Sequence, residues 1–405
     1  MKRRFLFVHQ NFPGQFGHAS VALAREGHEV VALGINTREV PGVRCLRYEV
    51  KAPEHPSKTL AQEHEVKVVR GLACMNAMAK LRDEGFAPDT IVVHPGWGEA
   101  LFVRDVFPAA RVIVFAEFFY DTEGSDYDFD PEFAHDSLLA RARLRLKNSV
   151  HLHALNDADA GYSPTRWQHC QMPALYRPKF EVIFDGIDTQ RVRPDASAFV
   201  QLSRAGVRIA AGDEVITFVN RNLEPYRGFH VFMRALPEIL RRRPNARVLI
   251  VGSDDVSYGA RPRQGGSWRQ VMLQEVGAQL PMERIHFLGR VPYPDFLRLL
   301  QVSACHVYLT YPFVLSWSCL EALAAGALVV GSRTAPVEEV ITHGENGWLV
   351  DFFDVPGWVE RVTEVLATRE RLGAVREAAR RSVVERYDLE TVCLPQLMRL
   401  LRGDG

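Results

Sequence analysis

Two trains of short apolar runs, each run followed by a helical stretch, constrain this chain more than any single motif does. Arg4-Phe-Leu-Phe-Val-His9 opens the first train and is apolar almost throughout, as a strand covered on both faces of a parallel sheet must be. Asn11-Phe-Pro-Gly-Gln15 then turns the chain. A helix follows through Ala24 and Arg25 to a stop at Gly27, and residues 28–33 form the next strand. A long helical region covers 60–82, and strands recur at 90–94, 112–116, 151–154 and 182–184. After a less regular stretch to Asp213 the second train begins, with strands at 215–219, 246–251, 285–288, 305–310 and 328–331. Its helices start near Gly228, Ser267, Tyr293 and Ser316. The pattern predicts an α/β fold of two Rossmann-like domains joined near residue 188 and facing across a cleft, which is the default ligand site.

Composition narrows the function. The 405 residues carry 49 Lys and Arg against 49 Asp and Glu, so no bulk field draws the chain to nucleic acid. No apolar run approaches the roughly 20 residues that span a bilayer, and the run after Met1-Lys-Arg-Arg is too short for a signal peptide. The six cysteines are scattered without a CxxC pair, as expected of reduced thiols in a cytoplasmic protein. The glycines of the first turn lack the GxGxxG spacing, so a dinucleotide cofactor is not indicated.

The richest stretch is Tyr308 to Gly326. A strand end and a loop of unusual composition lead into a helix starting near Ser316 or Ser318, with Leu320, Leu323 and Ala324 at core spacing. The free amides of its first turn and the positive end of its dipole make a natural seat for a phosphate. Glu321 lies too far in to cap this helix, and there it can reach a hydroxyl pair such as a ribose. Arg221 and Arg227 stand in the loop Asn220-Arg-Asn-Leu-Glu-Pro-Tyr-Arg-Gly228, after the first strand of the second domain. Two guanidinium groups there suit a diphosphate. Gly14 marks the corresponding strand end of the first domain.

Two charged segments are less decisive. Residues 117–136 hold eight acidic side chains and no basic one. Ser125-Asp-Tyr-Asp-Phe-Asp130 imitates a calcium loop, but Pro131 and Ser137 stand where Gly and Glu are required, so a solvated loop at the cleft mouth is expected and no metal. Arg141, Arg143, Arg145 and Lys147 follow on a helix, leaving open a solvated face or a peripheral membrane contact of the first domain.

Taken in order, the motifs of the second half resemble those of the family 4 (group 1) glycosyltransferases. Asp185-Gly-Ile-Asp188 is similar to the family's Asn-Gly-Val-Asp at the domain crossover. Arg221 with Arg227-Gly228 resembles its Arg and Lys-Gly pair. Val251-Gly-Ser253, Phe287-Leu-Gly289, Glu321-Ala-Leu-Ala-Ala-Gly326, Pro336-Val-Glu-Glu-Val340 and Gly344-Glu-Asn-Gly-Trp-Leu-Val350 follow in the expected sequence. The first half is similar more loosely, through Pro13-Gly14, Gly27-His-Glu-Val30 and the strand ending at His94. The resemblance implies the GT-B fold, with residues 1–187 as the acceptor-side domain and 188–388 as the donor domain. The last helix, within 389–405, would cross back to the first domain.

The same resemblance implies retaining transfer of a sugar from a nucleotide diphosphate donor, without a cofactor or a protein-bound metal, in bacterial glycan or glycoconjugate synthesis, and the protein is expected in the cytoplasm or at the inner face of the membrane. The acceptor would be a saccharide, a lipid-linked glycan or a small molecule. Arg221 and Arg227 would neutralise the leaving diphosphate beside Ser316 and Trp317, Glu321 would hold the ribose, and Arg290 and Val291 would flank the base. Gly14 would lie close to the donor or acceptor, and Phe313 and Leu315 would belong to the donor loop. Three departures stand out. Phe313 occupies the place of the family's first, sugar-reading Glu. The spacing from Arg221 to Arg227 is one residue longer than usual. Glu117 replaces a His common after the strand ending at Ala116, and either takes a polar contact with a sugar or merely opens the acidic loop. His94 is a further candidate at the cleft, or else a structural histidine. A GT-B scaffold with a decayed donor site and a sugar-nucleotide epimerase are the competing readings.

Overall fold

The computed structural model describes residues 2–51, 59–134, 137–203 and 206–403, which form two compact units: 1–185 with 390–405, and 186–389. The first unit runs β1 (Arg4–Val8), α1 (Gly17–Arg25), β2 (Glu29–Gly34), β3 (Arg44–Arg47), α2 (Gln62–Asp83), β4 (Thr90–Val93), α3 (Val103–Val106) and β5 (Arg111–Phe115). It continues with α4 (Leu138–Asp157), β6 (Ala160–Ser163), α5 (Arg166–Gln171) and β7 (Phe180–Val182). The sheet order is β3-β2-β1-β4-β5-β6-β7, with every neighbouring pair parallel.

Alternation along β1 explains its apolar run. Leu6 and Val8 enter one core with Cys74, Met78 and Leu81 of α2. Phe5 and Phe7 enter the other with Phe16 and Leu23. The second core is completed from the far end of the chain by Leu397, Met398, Leu400 and Leu401. Each such leucine contributes about 1.5–3 kcal/mol over its exposed state, and Arg111 Nη1 adds a hydrogen bond to the Leu400 carbonyl at 2.7 Å.

The second unit begins with an antiparallel hairpin, β8 (Phe199–Leu202) and β9 (Val207–Ala210). Then come β10 (Val215–Asn222), α6 (Phe229–Arg242), β11 (Arg247–Ser253), α7 (Trp268–Val276), β12 (Ile285–Gly289), α8 (Tyr293–Gln301), β13 (Cys305–Tyr308) and α9 (Trp317–Ala324). They are followed by β14 (Val329–Ser332), α10 (Ala335–Glu338), β15 (Trp348–Val350), α11 (Val355–Thr368) and α12 (Gly373–Tyr387). The last helix, α13 (Leu394–Arg402), belongs to the first unit. The second sheet is β12-β11-β10-β13-β14-β15, again parallel throughout.

In both sheets the strand order reverses beside the first strand, between β1 and β4 and between β10 and β13. Loops diverge at such a switch point and leave a crevice at the carboxyl ends of the strands. Among the described residues, no helix is long and apolar enough to cross a membrane.

Three local expectations are corrected. Residues 151–154 are helix, not strand. Asn148, His151 and Leu155 are buried at helical spacing within α4, and the strand is the short, weakly apolar β6 beyond them. The stretch before Asp213, irregular in sequence, holds the hairpin β8–β9. The acidic segment is not simply solvated. Asp126 is buried with its charge acting on Lys147, whose ammonium lies 3.6 Å from the Tyr120 ring centre. Asn148 also clasps the Tyr120 backbone, accepting from its amide at 3.1 Å and donating to its carbonyl at 2.6 Å. Burial of that acid is tolerated because a cation on α4 neutralises it. His135 and Asp136 lie outside the described residues.

Candidate functional site

The switch point of the second unit gathers most of the basic and carboxylate candidates. Gly228 takes a left-handed φ of 66° between the turn at Pro225–Arg227 and α6. A side chain there would strike Leu309, whose Cβ lies 2.3 Å from an ideal Cβ. This tight corner turns Arg227 inward. Only 6% exposed, it donates through Nη1 to Thr310 Oγ1 at 2.7 Å and to the Val314 carbonyl at 3.0 Å. A permanently charged group thus braces the loop after β13. Arg221 stands exposed at the end of β10, and its carbonyl accepts from Ser253 Oγ at 3.4 Å.

That loop delivers the chain into α9. Ser316 sits at the N-cap with extended backbone angles but makes no side-chain cap. Its hydroxyl lies 3.0 Å from that of Ser318, and its amide donates to the buried Tyr308 hydroxyl at 2.9 Å. The Ser316 side chain thus gives the first turn of α9 no cap, the arrangement that receives an anion. Trp317 is exposed, whereas Leu315 is buried and acts in packing.

Phe313 is 4% exposed. Its ring packs against Tyr258 at 4.8 Å and Tyr226 at 5.6 Å, and the Arg227 guanidinium lies 5.8 Å from it.

Glu321 is 7% exposed on α9 and accepts from the Tyr293 hydroxyl at 2.7 Å. Burial pushes its carboxyl above the usual glutamate range, while the Tyr293 hydrogen bond and the Arg191 charge pull it back down. Arg191 also lies over the Tyr293 ring, 4.6 Å from its centre. Arg290 is exposed and Val291 half-buried in the loop just before Tyr293.

In the first unit the loops after β1, β4 and β5 build a polar network. The Asn11 amide donates to His9 Nδ1 at 2.9 Å and the Gly96 amide to His94 Nδ1 at 3.1 Å. Each ring therefore carries its proton on Nε2. His9 Nε2 donates to Gln15 Oε1 at 3.0 Å, and Gln15 Nε2 donates to Glu117 Oε1 at 3.0 Å. His94 Nε2 faces Glu117 Oε2 at 3.4 Å. Both oxygens of the partly exposed Glu117 carboxylate are thus oriented by donors. Burial, helped by the neighbouring His94, holds His9 down at about 3, so it stays neutral. Gly14 has a local reason: with φ 47°, any Cβ would come within 2.6 Å of the His9 ring.

Sequence reading missed Gln15, His9, Tyr293 and Tyr258. Tyr293 lies just after the Arg290–Val291 loop already singled out.

Comparison with known proteins fixes the class. Sucrose-phosphate synthase from Thermosynechococcus elongatus superposes with a TM-score of 0.73 at 17% identity, covering 100% of both chains. Anabaena HepE, solved in complex with UDP and glucose, gives 0.66 at 15% identity over 99% of this chain and 100% of that one. The fold is GT-B, two Rossmann-like units in one chain, as the sequence motifs imply.

Residues 26–192 match the family described as Glycosyl transferase family 4 group, and residues 200–382 match Glycosyl transferases group 1. This chain belongs to the family 4, group 1 glycosyltransferases. The D-inositol 3-phosphate glycosyltransferase of Corynebacterium urealyticum is 26% identical over 231 residues, 56% of this chain and 52% of that protein. The GDP-mannose-dependent alpha-(1-6)-phosphatidylinositol monomannoside mannosyltransferase of Mycolicibacterium smegmatis is 28% identical over 246 residues, 58% of this chain and 60% of that one. The chain thus spans little more than half the length of these relatives.

Proposed function

We propose that the protein is a retaining glycosyltransferase that moves a sugar from a nucleotide diphosphate donor to an acceptor hydroxyl, in glycan or glycoconjugate synthesis. The observation that carries this reading is Arg227, a cation fixed on Thr310 and Val314 in the loop that opens into the uncapped start of α9. Arg227, Arg221 and the amides at Ser316 and Trp317 offset the charge that grows on the diphosphate as its bond to the anomeric carbon breaks. Preorganised groups of this kind are usually the largest catalytic contribution. The acceptor oxygen forms the new bond to that carbon, and its proton passes to the departing phosphate, so no nucleophilic carboxylate is required. Glu321 receives the ribose hydroxyls, with Arg290 and Val291 beside the base.

In the first unit, Glu117, oriented by Gln15 and His94, accepts a hydrogen bond from a sugar hydroxyl. The acceptor is a saccharide, lipid-linked or small-molecule hydroxyl. The complex of HepE with UDP and glucose and the GDP-mannose dependence of the mycobacterial relative support donors of this class. The test is calorimetric binding and slow hydrolysis across UDP-, GDP-, ADP- and dTDP-sugars, repeated with Arg227→Ala and Glu321→Ala. Both variants should lose at least about tenfold in affinity, the worth of one charge-assisted contact. Failure of the wild-type protein to bind any of these compounds would refute the reading.

A further inference from the structure

The carboxylate of Glu224, 1% exposed, is taken up by the backbone of another loop. It accepts from three successive backbone amides, those of Ser257 at 3.1 Å, Tyr258 at 3.2 Å and Gly259 at 2.9 Å. Multiple hydrogen bonds of this kind make burial of a charge tolerable, and they fix the loop that carries them. Trp268 Nε1 pins the same loop again, at the Ala260 carbonyl 2.9 Å away. The segment between β11 and α7 is thereby set in one position over the turn at Pro225–Arg227.

That position has a consequence for Tyr258. Its ring lies 5.2 Å from the Arg227 guanidinium and 4.8 Å from the Phe313 ring, and it is 39% exposed where Phe313 is 4% exposed. The aromatic cluster around Arg227 therefore presents one open ring to solvent. A donor held at Arg227 by its diphosphate has two ends. Glu321, Tyr293 and Arg191 form one group that suits the ribose, and among the described residues none of them makes a ring contact or a hydrogen bond with Tyr258 or Phe313. The open ring is left for the other end. We propose that Tyr258, on the loop that Glu224 anchors, is the platform on which the apolar face of the donor's transferred pyranose stacks. A pyranose suits it, because its C–H face is apolar while its hydroxyls point outward, and aromatic faces bind such surfaces. Glu224 is a positioning residue here, since its oxygens are occupied by the loop.

This inference rests on the donor reading above, and calorimetry separates the two. UDP, UDP-glucose, UDP-N-acetylglucosamine, GDP and GDP-mannose are titrated into wild type, Tyr258→Ala, Tyr258→Phe and Glu224→Gln, with circular dichroism confirming that each is folded. In the wild type, at least one diphosphate sugar should bind more tightly than its bare diphosphate. Tyr258→Ala should remove about tenfold of that gain, the scale of an aromatic contact, while the bare diphosphate stays within about twofold. Tyr258→Phe should keep the gain, and Glu224→Gln should lose part of it. Equal losses for diphosphate and diphosphate sugar would make Tyr258 a base platform and overturn the proposal. Tighter binding of the bare diphosphate by Tyr258→Ala would make it a cover over Arg227, and no change would make it structural; either result also overturns the proposal. Absence of all nucleotide binding in the wild type would instead overturn the donor reading itself.

Discussion

Acid should loosen the first unit through His9, and the structure sets both sign and size. Its pKa falls from 6.5 to about 3, chiefly through burial and then through His94, against the smaller raising effects of Gln15 and Glu117. A depressed base favours the fold in full above its unfolded value, and that contribution is lost as pH falls from 6.5 towards 3. Integrating over that interval gives a loss of about 2 kcal/mol by about pH 5. The assay is hydrogen exchange of the β1 amides, corrected for intrinsic rate, in wild type and in His9→Gln, which cannot titrate. Wild type should lose about thirtyfold more protection than the variant on going from about pH 7.5 to about pH 5. The variant will start from lower stability, because glutamine cannot reproduce both the Asn11 and the Gln15 contacts. The slope carries the test. Equal loss of protection in the two proteins would refute the argument that His9 is held neutral by its surroundings.

Gly228→Ala combines a left-handed backbone with a contact to Leu309 Cβ, and should cost about 2–4 kcal/mol, read as a lowered unfolding midpoint. Burial raises the Glu321 carboxyl, so it becomes a neutral acid at a higher pH than an exposed glutamate would. Nucleotide affinity should therefore weaken on acidification as pH falls through that raised value, and Glu321→Gln should abolish the step; a step of equal size in the variant counts against Glu321. Phe313→Glu would place a charge between Tyr226 and Tyr258 beside Arg227. It should shift the ranking of donor sugars more than the affinity for bare diphosphate, with a stability loss of about 1–3 kcal/mol checked by thermal unfolding.

Local pattern carried much of this molecule. Apolar runs of strand length and glycine stops marked β1, β2, β4, β5 and five strands of the second sheet, because a strand buried on both faces needs no distant information to be recognised. The helix starts near Gly228, Ser267, Tyr293 and Ser316 were legible for the same reason: each follows a turn residue or a cap within a few positions. The strand β6 escaped notice because Ala-Gly-Tyr-Ser has little apolar signal, and the apolar positions just before it belong to α4.

What the sequence by itself determined is the pair of alternating α/β trains, the GT-B fold and the family, since these rest on periodicity and on motifs read in order. Only the tertiary structure decided what each polar group does. Arg227 meets Thr310 across 83 residues, Gln15 meets Glu117 across 102, and Tyr258 reaches the Glu224 carboxylate across 34. Hydrogen bonds depend on distances of about 3 Å, and no spacing along the chain encodes such an approach between loops of different strands. The order of strands around each switch point brings those loops together, and with them the donors, acceptors and rings of the site.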